Sequence, residues 1–571
     1  MYCYNQYIIM TLQKIPYGIS NFRKMREEGY IFIDKTRYIR LLEESPPYIF
    51  FLRPRRFGKS LFVSLLHYYY DISEKNNFNN LFSGTKIGID PTIKRNSYYI
   101  LNFDFSAITT ETDRELQKSF SARIRDSLTQ FIDHYNLAIQ LEPSESGADI
   151  LSTFFSRLPD EMKGRIYVII DEYDHFANEL LSFNIDLFQE TISRQGFIRK
   201  WYEALKMGTK NYVDRIFATG VSPITLDSLT SGFNISSNLT RSPKLNEMMG
   251  FTEEEVILLM EQTLPQEYGS ETLLPTMRRY YNGYLFSEGE NTRIFNSDMI
   301  LYYMSSYLEW GKPPEQLLDM NIASDYGKIS RLIRIKSPER NISVLKDIVY
   351  SGEVSAQITS QFSMEKDFTR DDFVSLLYYL GLLTIKRAIP GEISLNIPNY
   401  VIKGIYYDFF LRIIAREGDF DIHNEKVREA MREIGYEGRC TKLVSLIEEL
   451  LHAFSNRDFI GFDEKYIKIA LFTYANMSNL YLVKSEYEVS DGYIDIALLK
   501  RDPWHPDYYA VFELKYLKMT DSSKKSIETA KRAGEKQLMQ YISSPELTVI
   551  KNLKKWVLVF AGDRCVSMSE V

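Results

Sequence analysis

Cysteine is scarce: the 571 residues hold only Cys3, Cys440 and Cys565, far apart and odd in number. That leaves no disulfide framework and no metal-ligand spacing, as expected of a protein kept in a reducing, cytoplasmic compartment. Long apolar runs are missing too. None approaches the roughly 20 residues that cross a bilayer, so no membrane partner is expected. The opening stretch MYCYNQYIIM has no basic residues ahead of its short apolar run, which argues against a secretory leader. Positive charge is not in excess either: 69 Lys and Arg face 76 Asp and Glu, a formal charge of −7. Such a chain does not coat nucleic acid by bulk electrostatics, and any contact is confined to a local basic groove. His423, His452 and His505 stand isolated and are given no role. No internal repeat or low-complexity tract is evident.

Apolar and aromatic residues, by contrast, are plentiful, and a chain of this length divides into several domains. The first landmark is YIFFLRPRRFGKSLFVS, residues 48–64. A short apolar strand breaks at Pro54, passes Arg55 and Arg56, and reaches Phe57, Gly58, Lys59, Ser60 and Leu61 where a helical period begins. This is the layout of a phosphate-binding loop. Gly58 lets backbone N–H groups approach phosphate oxygens, and the helix turns its positive end toward them. Lys59 is then expected on the β and γ phosphates and the Ser60 hydroxyl on magnesium. Arg53 stands where G-x-x-x-x-G-K-[ST] has its first glycine, so the backbone must enter by another path. Upstream, a short strand YIFID leads to Asp34, Lys35 and Thr36, which either approach the nucleotide or cap a helix.

The next landmarks are YYILNFDFS, residues 98–106, and RIYVIIDEYDHF, residues 165–176. In the latter, four apolar residues run straight into Asp171 and Glu172, as in a buried parallel strand ending at the mouth of a sheet. Asp171 falls where magnesium would be held, and Glu172 where an attacking water would be polarised. The strand VDRIFAT follows, and Thr219 at its end is expected to sense the γ phosphate. Residues 250–454 are mostly helical in period, with a cap at Thr252, and GEISLNIPN (391–399) suggests a small strand pair closing a winged-helix-like unit.

A second chemistry begins near residue 459. A helix starting at Glu464 precedes strands near 481–488 and at GYIDIALLK (492–500), then YYAVFELKYLK (508–518). Alternation puts Glu513 and Lys515 on one face, and a hairpin partner can bring Asp495 beside them. Two acids and a lysine meeting on a sheet suit metal-assisted phosphodiester hydrolysis: Asp495 and Glu513 hold the cation, and Lys515 orients water and offsets charge. The next helix places Gln537 and Tyr541 four apart on one face, with Gln537 reaching substrate or a metal-bound water.

RPRRFGKSL, IIDEYD, FATGVSP, and GYIDIALL with FELKYLK together resemble the bacterial AAA-ATPase-like proteins that carry a C-terminal PD-(D/E)XK nuclease-superfamily domain, especially those of Bacteroidetes. That family also has arginine where a standard phosphate loop begins. The resemblance implies an α/β chain in three parts: a P-loop NTPase with a doubly wound parallel sheet (11–249), a helical, winged-helix-like region (250–454), and a restriction-endonuclease-like domain (455–571). It implies ATP and Mg2+ at Gly58, Lys59, Ser60, Asp171 and Glu172, and a nuclease centre at Glu464, Asp495, Glu513, Lys515 and Gln537, with Mn2+ as an alternative cation there. Arg55 and Arg56 serve either the triphosphate or a neighbouring copy in a homo-oligomer. The expected function is ATP binding and hydrolysis coupled to metal-dependent cleavage of nucleic acid. The alternative is a nucleotide-dependent binding or signalling module whose nuclease fold is catalytically silent.

Overall fold

The stretches YIFFL, IYVIID and VDRIFATG are apolar on both faces, which suits strands covered on both sides. They are strands of the N-terminal sheet in the computed structural model, which describes residues 12–571 apart from 107, 110, 142–143, 145, 178–179, 181–195, 224–233, 266–267, 320–331, 363–367, 418–421, 456–462, 491 and 502–503. The sheet comprises β1 (Tyr48–Leu52), β2 (Tyr99–Asp104), β3 (Ile166–Asp171), β4 (Val213–Gly220) and β5 (Ser237–Asn238). Their order is β2-β3-β4-β1-β5, and every pairing is parallel. The loop after β1 and the acids ending β3 therefore lie at the same, carboxyl edge, with β4 between them. Ligands of such sheets bind at that edge.

The helix Lys59–Tyr70 starts at Gly58, whose φ of 87° is a left-handed conformation that side chains resist. It buries Phe62, Leu65, Leu66, Tyr69 and Tyr70 along one stripe and stops where Asp71 turns extended. The expected strand at YIFID is not one: Tyr30 makes a single bridge to Lys14, and residues 31–35 run on without a ladder. Asp34 does not cap the helix Arg37–Glu43, which has no side-chain cap; it closes a turn on the Thr36 amide at 2.9 Å and accepts from the Lys86 amide at 2.7 Å.

Thr252 and Glu255 form a reciprocal capping box at the helix Glu253–Thr263. Further on, the helices Pro338–Ser351 and Arg370–Tyr379 alternate with β6 (Glu353–Ala356), β7 (Thr384–Ile389) and β8 (Glu392–Asn396). The strands form an antiparallel sheet in the order β6-β8-β7, the helix–strand–helix–hairpin succession of a winged helix. GEISLNIPN supplies β8 alone; its partner β7 lies upstream.

The chain divides into two compact units, Met1–Glu309 with Leu318–Tyr400, and Trp310–Leu317 with Val401–Val571. The second is built on β9 (Leu482–Val489), β10 (Gly492–Leu499), β11 (Tyr509–Leu517), β12 (Leu553–Ala561) and β13 (Arg564–Glu570), paired in that order. All neighbours are antiparallel except β11 and β12. The helix Lys524–Ile542, which connects those two, packs on both. Leu538 and Tyr541 of that helix share a core with Val511 and Val557, and each aliphatic side chain there contributes roughly 1.5–3 kcal/mol on burial. Gly534 permits the approach: a Cβ there would stand 2.6 Å from Val557 Cγ1 and 3.7 Å from Glu513 Cγ. Among the described residues, no helix is long and apolar enough to cross a membrane.

Candidate functional site

Arg55, Arg56, Phe57, Gly58, Lys59, Ser60, Leu61 and Glu172 all line one cavity of about 450 Å3 in the first unit. Apolar residues, Ile19, Met25, Ile33 and Phe251 among them, line the same cavity, so a charged loop and apolar surface share one space. Lys59 is nearly buried, and its ammonium donates to the carbonyls of Arg53 and Pro54, both at 3.1 Å. Burial lowers its pKa, opposed by the carboxylates of Glu172 and Asp171. Ser60 hydrogen-bonds the Asp171 carboxyl, which burial pushes up to about 6. Glu172 has a left-handed φ of 51°, so the chain turns sharply as it leaves β3. Its carboxyl is held down at about 2, first by its contact with His175.

Several of these residues are also held by packing. Phe57 sets its ring edge-on to Tyr284 and Phe286, and its carbonyl accepts from the Gly250 amide at 3.0 Å. Arg56, at φ 67°, offers its carbonyl to the Ser297 hydroxyl at 3.1 Å and the Asp298 amide at 3.3 Å. Asp174, the third acid of IIDEYD, accepts from the Val221 amide and from both the amide and hydroxyl of Ser222. The two motifs IIDEYD and FATGVSP are thus one interlocked turn.

Arg53 explains the missing glycine. Its guanidinium is 1 % exposed and donates to the carbonyls of Leu52 (2.9 Å), Thr240 (2.8 Å) and Leu245 (3.0 Å). It lies between the rings of Phe51 and Phe286, 4.2 and 4.1 Å from their centroids. Burial pushes its pKa down to about 9, so it remains charged at neutral pH. Thr219 corrects an expectation: it is wholly buried and outside the cavity lining. Its hydroxyl donates to the Phe51 carbonyl at 2.8 Å, because parallel pairing sets it opposite that residue. Lys35 reaches the cavity wall, but its ammonium is bound to Glu255 at 2.6 Å and the Glu247 carbonyl at 2.9 Å.

In the second unit, Ile496 pairs with Phe512, so Asp495 and Glu513 fall on adjacent strands at the same level. One Asp495 oxygen accepts from the Leu514 amide at 2.9 Å. Lys515 Nζ lies 2.7 Å from Glu513 Oε1. The other Glu513 oxygen is buried and has no hydrogen-bond partner. Burial, and next the Asp495 carboxylate, push the Glu513 carboxyl up to about 7. Glu464 feels the same field: burial and then Asp495 raise its pKa. Tyr541 belongs to the apolar core, and the Gln537 side-chain amide donates to its hydroxyl at 3.1 Å.

One residue missed in the sequence stands at this centre. Lys468 Nζ lies 2.9 Å from Asp495 Oδ1 and 3.5 Å from Glu486 Oε1. The signal was available: Lys468 follows Glu464 by four residues on one helix, hence on one face. Among the described residues, no three Asp, Glu, His or Cys side chains stand close enough to share an ion as they are. Asp495 and Glu513 nevertheless suit a hard divalent cation, since both offer carboxylate oxygens and one buried Glu513 oxygen is unpartnered. At the first site, the Ser60 hydroxyl touching Asp171 beside Lys59 is the donor set that Mg2+ with a triphosphate needs.

Residues 16–230 match the family described as Predicted AAA-ATPase, and residues 462–570 match the PD-(D/E)XK nuclease superfamily. A curated relative, "Uncharacterized protein in vnfD 5'region" of Azotobacter chroococcum mcd 1, is 28 % identical over 280 residues. The match takes in 48 % of this chain and 49 % of that protein, so the chain spans about half the length of the curated relative it matches. Two solved structures are similar at low overall superposition. The Walker-type ATPase PABY2304 of Pyrococcus abyssi is 14 % identical with a TM-score of 0.36, covering 65 % of this chain and 94 % of that one. The Aeropyrum pernix ORC1 protein in complex with DNA is 10 % identical with a TM-score of 0.26, covering 72 % and 97 %.

Proposed function

From a chain that joins an AAA-ATPase-like domain, residues 16–230, to a PD-(D/E)XK nuclease-superfamily domain, residues 462–570, we propose an ATP-regulated, metal-dependent nuclease. The observation that carries the reading is the meeting of Asp495, Glu513 and Lys515 on adjacent strands of a chain that also holds a phosphate-loop cavity. In the first site, Gly58 and the following amides cradle phosphate oxygens, and Lys59 leaves the carbonyls of Arg53 and Pro54 to meet the β and γ phosphates. Ser60 and Asp171 hold Mg2+, which when bound neutralises the phosphate oxygens. Glu172, ionised at neutral pH, orients and polarises the attacking water.

In the second site, Asp495 and Glu513 hold a divalent cation, with Glu464 nearby; when bound it polarises the scissile phosphate. Lys515 orients water and offsets negative charge as the phosphorus is attacked. Nucleic acid is the substrate class that fits despite the overall negative charge. The helix Lys524–Ile542, whose Gly534 packs against Glu513 and Lys515, exposes Lys524, Lys525, Arg532 and Lys536.

The test is cleavage of single- and double-stranded DNA and RNA by purified protein in Mg2+ or Mn2+, with and without ATP. Lys59→Ala should abolish nucleotide turnover, and Lys515→Ala should abolish cleavage and spare turnover. A cleavage rate untouched by Lys515→Ala ends the reading. The second reading, a nucleotide-dependent binding module with a silent nuclease fold, draws on the lysine partners that Asp495 and Glu513 already have. Intact ATP turnover with no cleavage of any substrate would favour it.

A further inference from the structure

We infer that Lys468 is a resident counter-ion of the nuclease centre: its ammonium holds Asp495 until a divalent cation displaces it, and the freed charge then meets a phosphate of the nucleic acid. The inference rests on reading this centre as a nuclease site and adds a residue that neither the sequence motif nor the superfamily match assigns.

The geometry is specific. Asp495 has two oxygens, and both are engaged: Oδ2 by the Leu514 amide and Oδ1 by Lys468 at 2.9 Å. The Leu514 amide is fixed on the backbone of β11, whereas the ammonium is on a flexible stem and can leave, so Oδ1 is the Asp495 oxygen that a cation takes over by displacing a side chain alone. The Lys468 and Asp495 side chains are 15 % and 13 % exposed, which places the pair where attraction is strong and weakly screened by salt. Glu486, at 3.5 Å, gives the ammonium a second station at the rim, where that glutamate is 63 % exposed. Lys515 is committed to Glu513 at 2.7 Å, so the two lysines divide the two carboxylates between them. Glu464, one turn before Lys468 on the same helix, completes an acidic surround in which an ammonium and a metal ion compete for the same charge.

Two consequences follow. Removing the ammonium should tighten cation binding, because the ion no longer has to evict a competitor. It should also weaken nucleic-acid binding in the presence of the cation, because one phosphate contact is lost. A merely structural lysine would leave the second of these unchanged, which is why both are measured.

The experiment titrates Mn2+ into the full-length protein, without ATP or nucleic acid, by calorimetry. The component lost in Asp495→Asn belongs to this centre. Lys468→Met, which keeps the apolar stem, should tighten that component roughly tenfold. In Ca2+, the same variant should bind a short DNA more weakly, with a salt dependence shallower by about one phosphate contact. Lys468→Gln serves if the Met variant does not fold. An Asp495-dependent component unchanged or weakened in both variants overturns the inference and leaves the nuclease reading standing, and so does an unchanged salt slope. No Asp495-dependent binding in the wild type overturns both.

Discussion

His175 Nδ1 stands 2.9 Å from Glu172 Oε2, three residues beyond the acid and on the wall of the same cavity. Glu172 leaves β3 through a left-handed turn that the His175 amide closes on the Glu172 carbonyl at 3.0 Å, which sets the imidazole against the carboxylate. The same contact is the largest cause of its low pKa of about 2.

His175→Ala should therefore lower ATP turnover by roughly ten- to a hundredfold with little change in KM, as expected when the water-orienting carboxylate is mispositioned rather than a ligand contact removed. The carboxyl should also rise from about 2 toward its ordinary 4.5, so an acid limb that lies far below neutrality in the wild type moves upward in the variant. The sign follows from linkage: a depressed carboxyl stabilises the fold above its unfolded pKa, and that stability is lost as pH falls toward 2. Steady-state kinetics across pH check both; a variant that changes only KM would show that His175 serves nucleotide binding.

Arg53→Gly restores the residue that phosphate loops ordinarily have, and it should damage this protein. The guanidinium ties the end of β1, at the Leu52 carbonyl and the Phe51 ring, to the carbonyls of Thr240 and Leu245 and the ring of Phe286. Losing it should cost about 2–4 kcal/mol of stability, and Arg53→Lys should recover only part, because an ammonium lacks the planar fork. Urea unfolding of each variant measures this. A glycine variant as stable as the wild type would remove the structural role given to Arg53.

Asp298 lies in the cavity wall with one buried oxygen that has no hydrogen-bond partner. Burial pushes its carboxyl up to about 6 from 3.8, against the pull of Arg56 and with a push from Asp319. The folded state therefore binds more protons than the unfolded one between 3.8 and about 6, so stability falls as pH rises through that window and stays reduced above it. Asp298→Asn should gain about 1–2 kcal/mol at neutral pH, and the gain should vanish below about pH 4. Equal shifts in the unfolding midpoint at both pH values would contradict the assignment.

Much of this architecture could be read locally. The helices Lys59–Tyr70 and Glu464–Met477 start where the sequence pattern indicates, because Gly58 and Asp463 act on their own neighbours in the chain. Strand alternation likewise put Glu513 and Lys515 on one face, since a period of two is a property of the backbone itself.

Contacts between distant segments were another matter. Thr219 ends a strand with the right polarity for a phosphate sensor, yet its direction is set by parallel pairing to Phe51, which no local pattern encodes. Arg53 departs from a loop motif, but its partners come from Thr240, Leu245 and Phe286, nearly 200 residues or more away. Lys468 shares a helix face with Glu464 by sequence alone; that Asp495 should stand 2.9 Å from it depends on how β10 packs against that helix. The sequence by itself determined which side chains are available, because helix and strand periods act within a few residues. Only the tertiary structure decided which of them meet, because those meetings depend on strand order, register and packing between segments far apart in the chain.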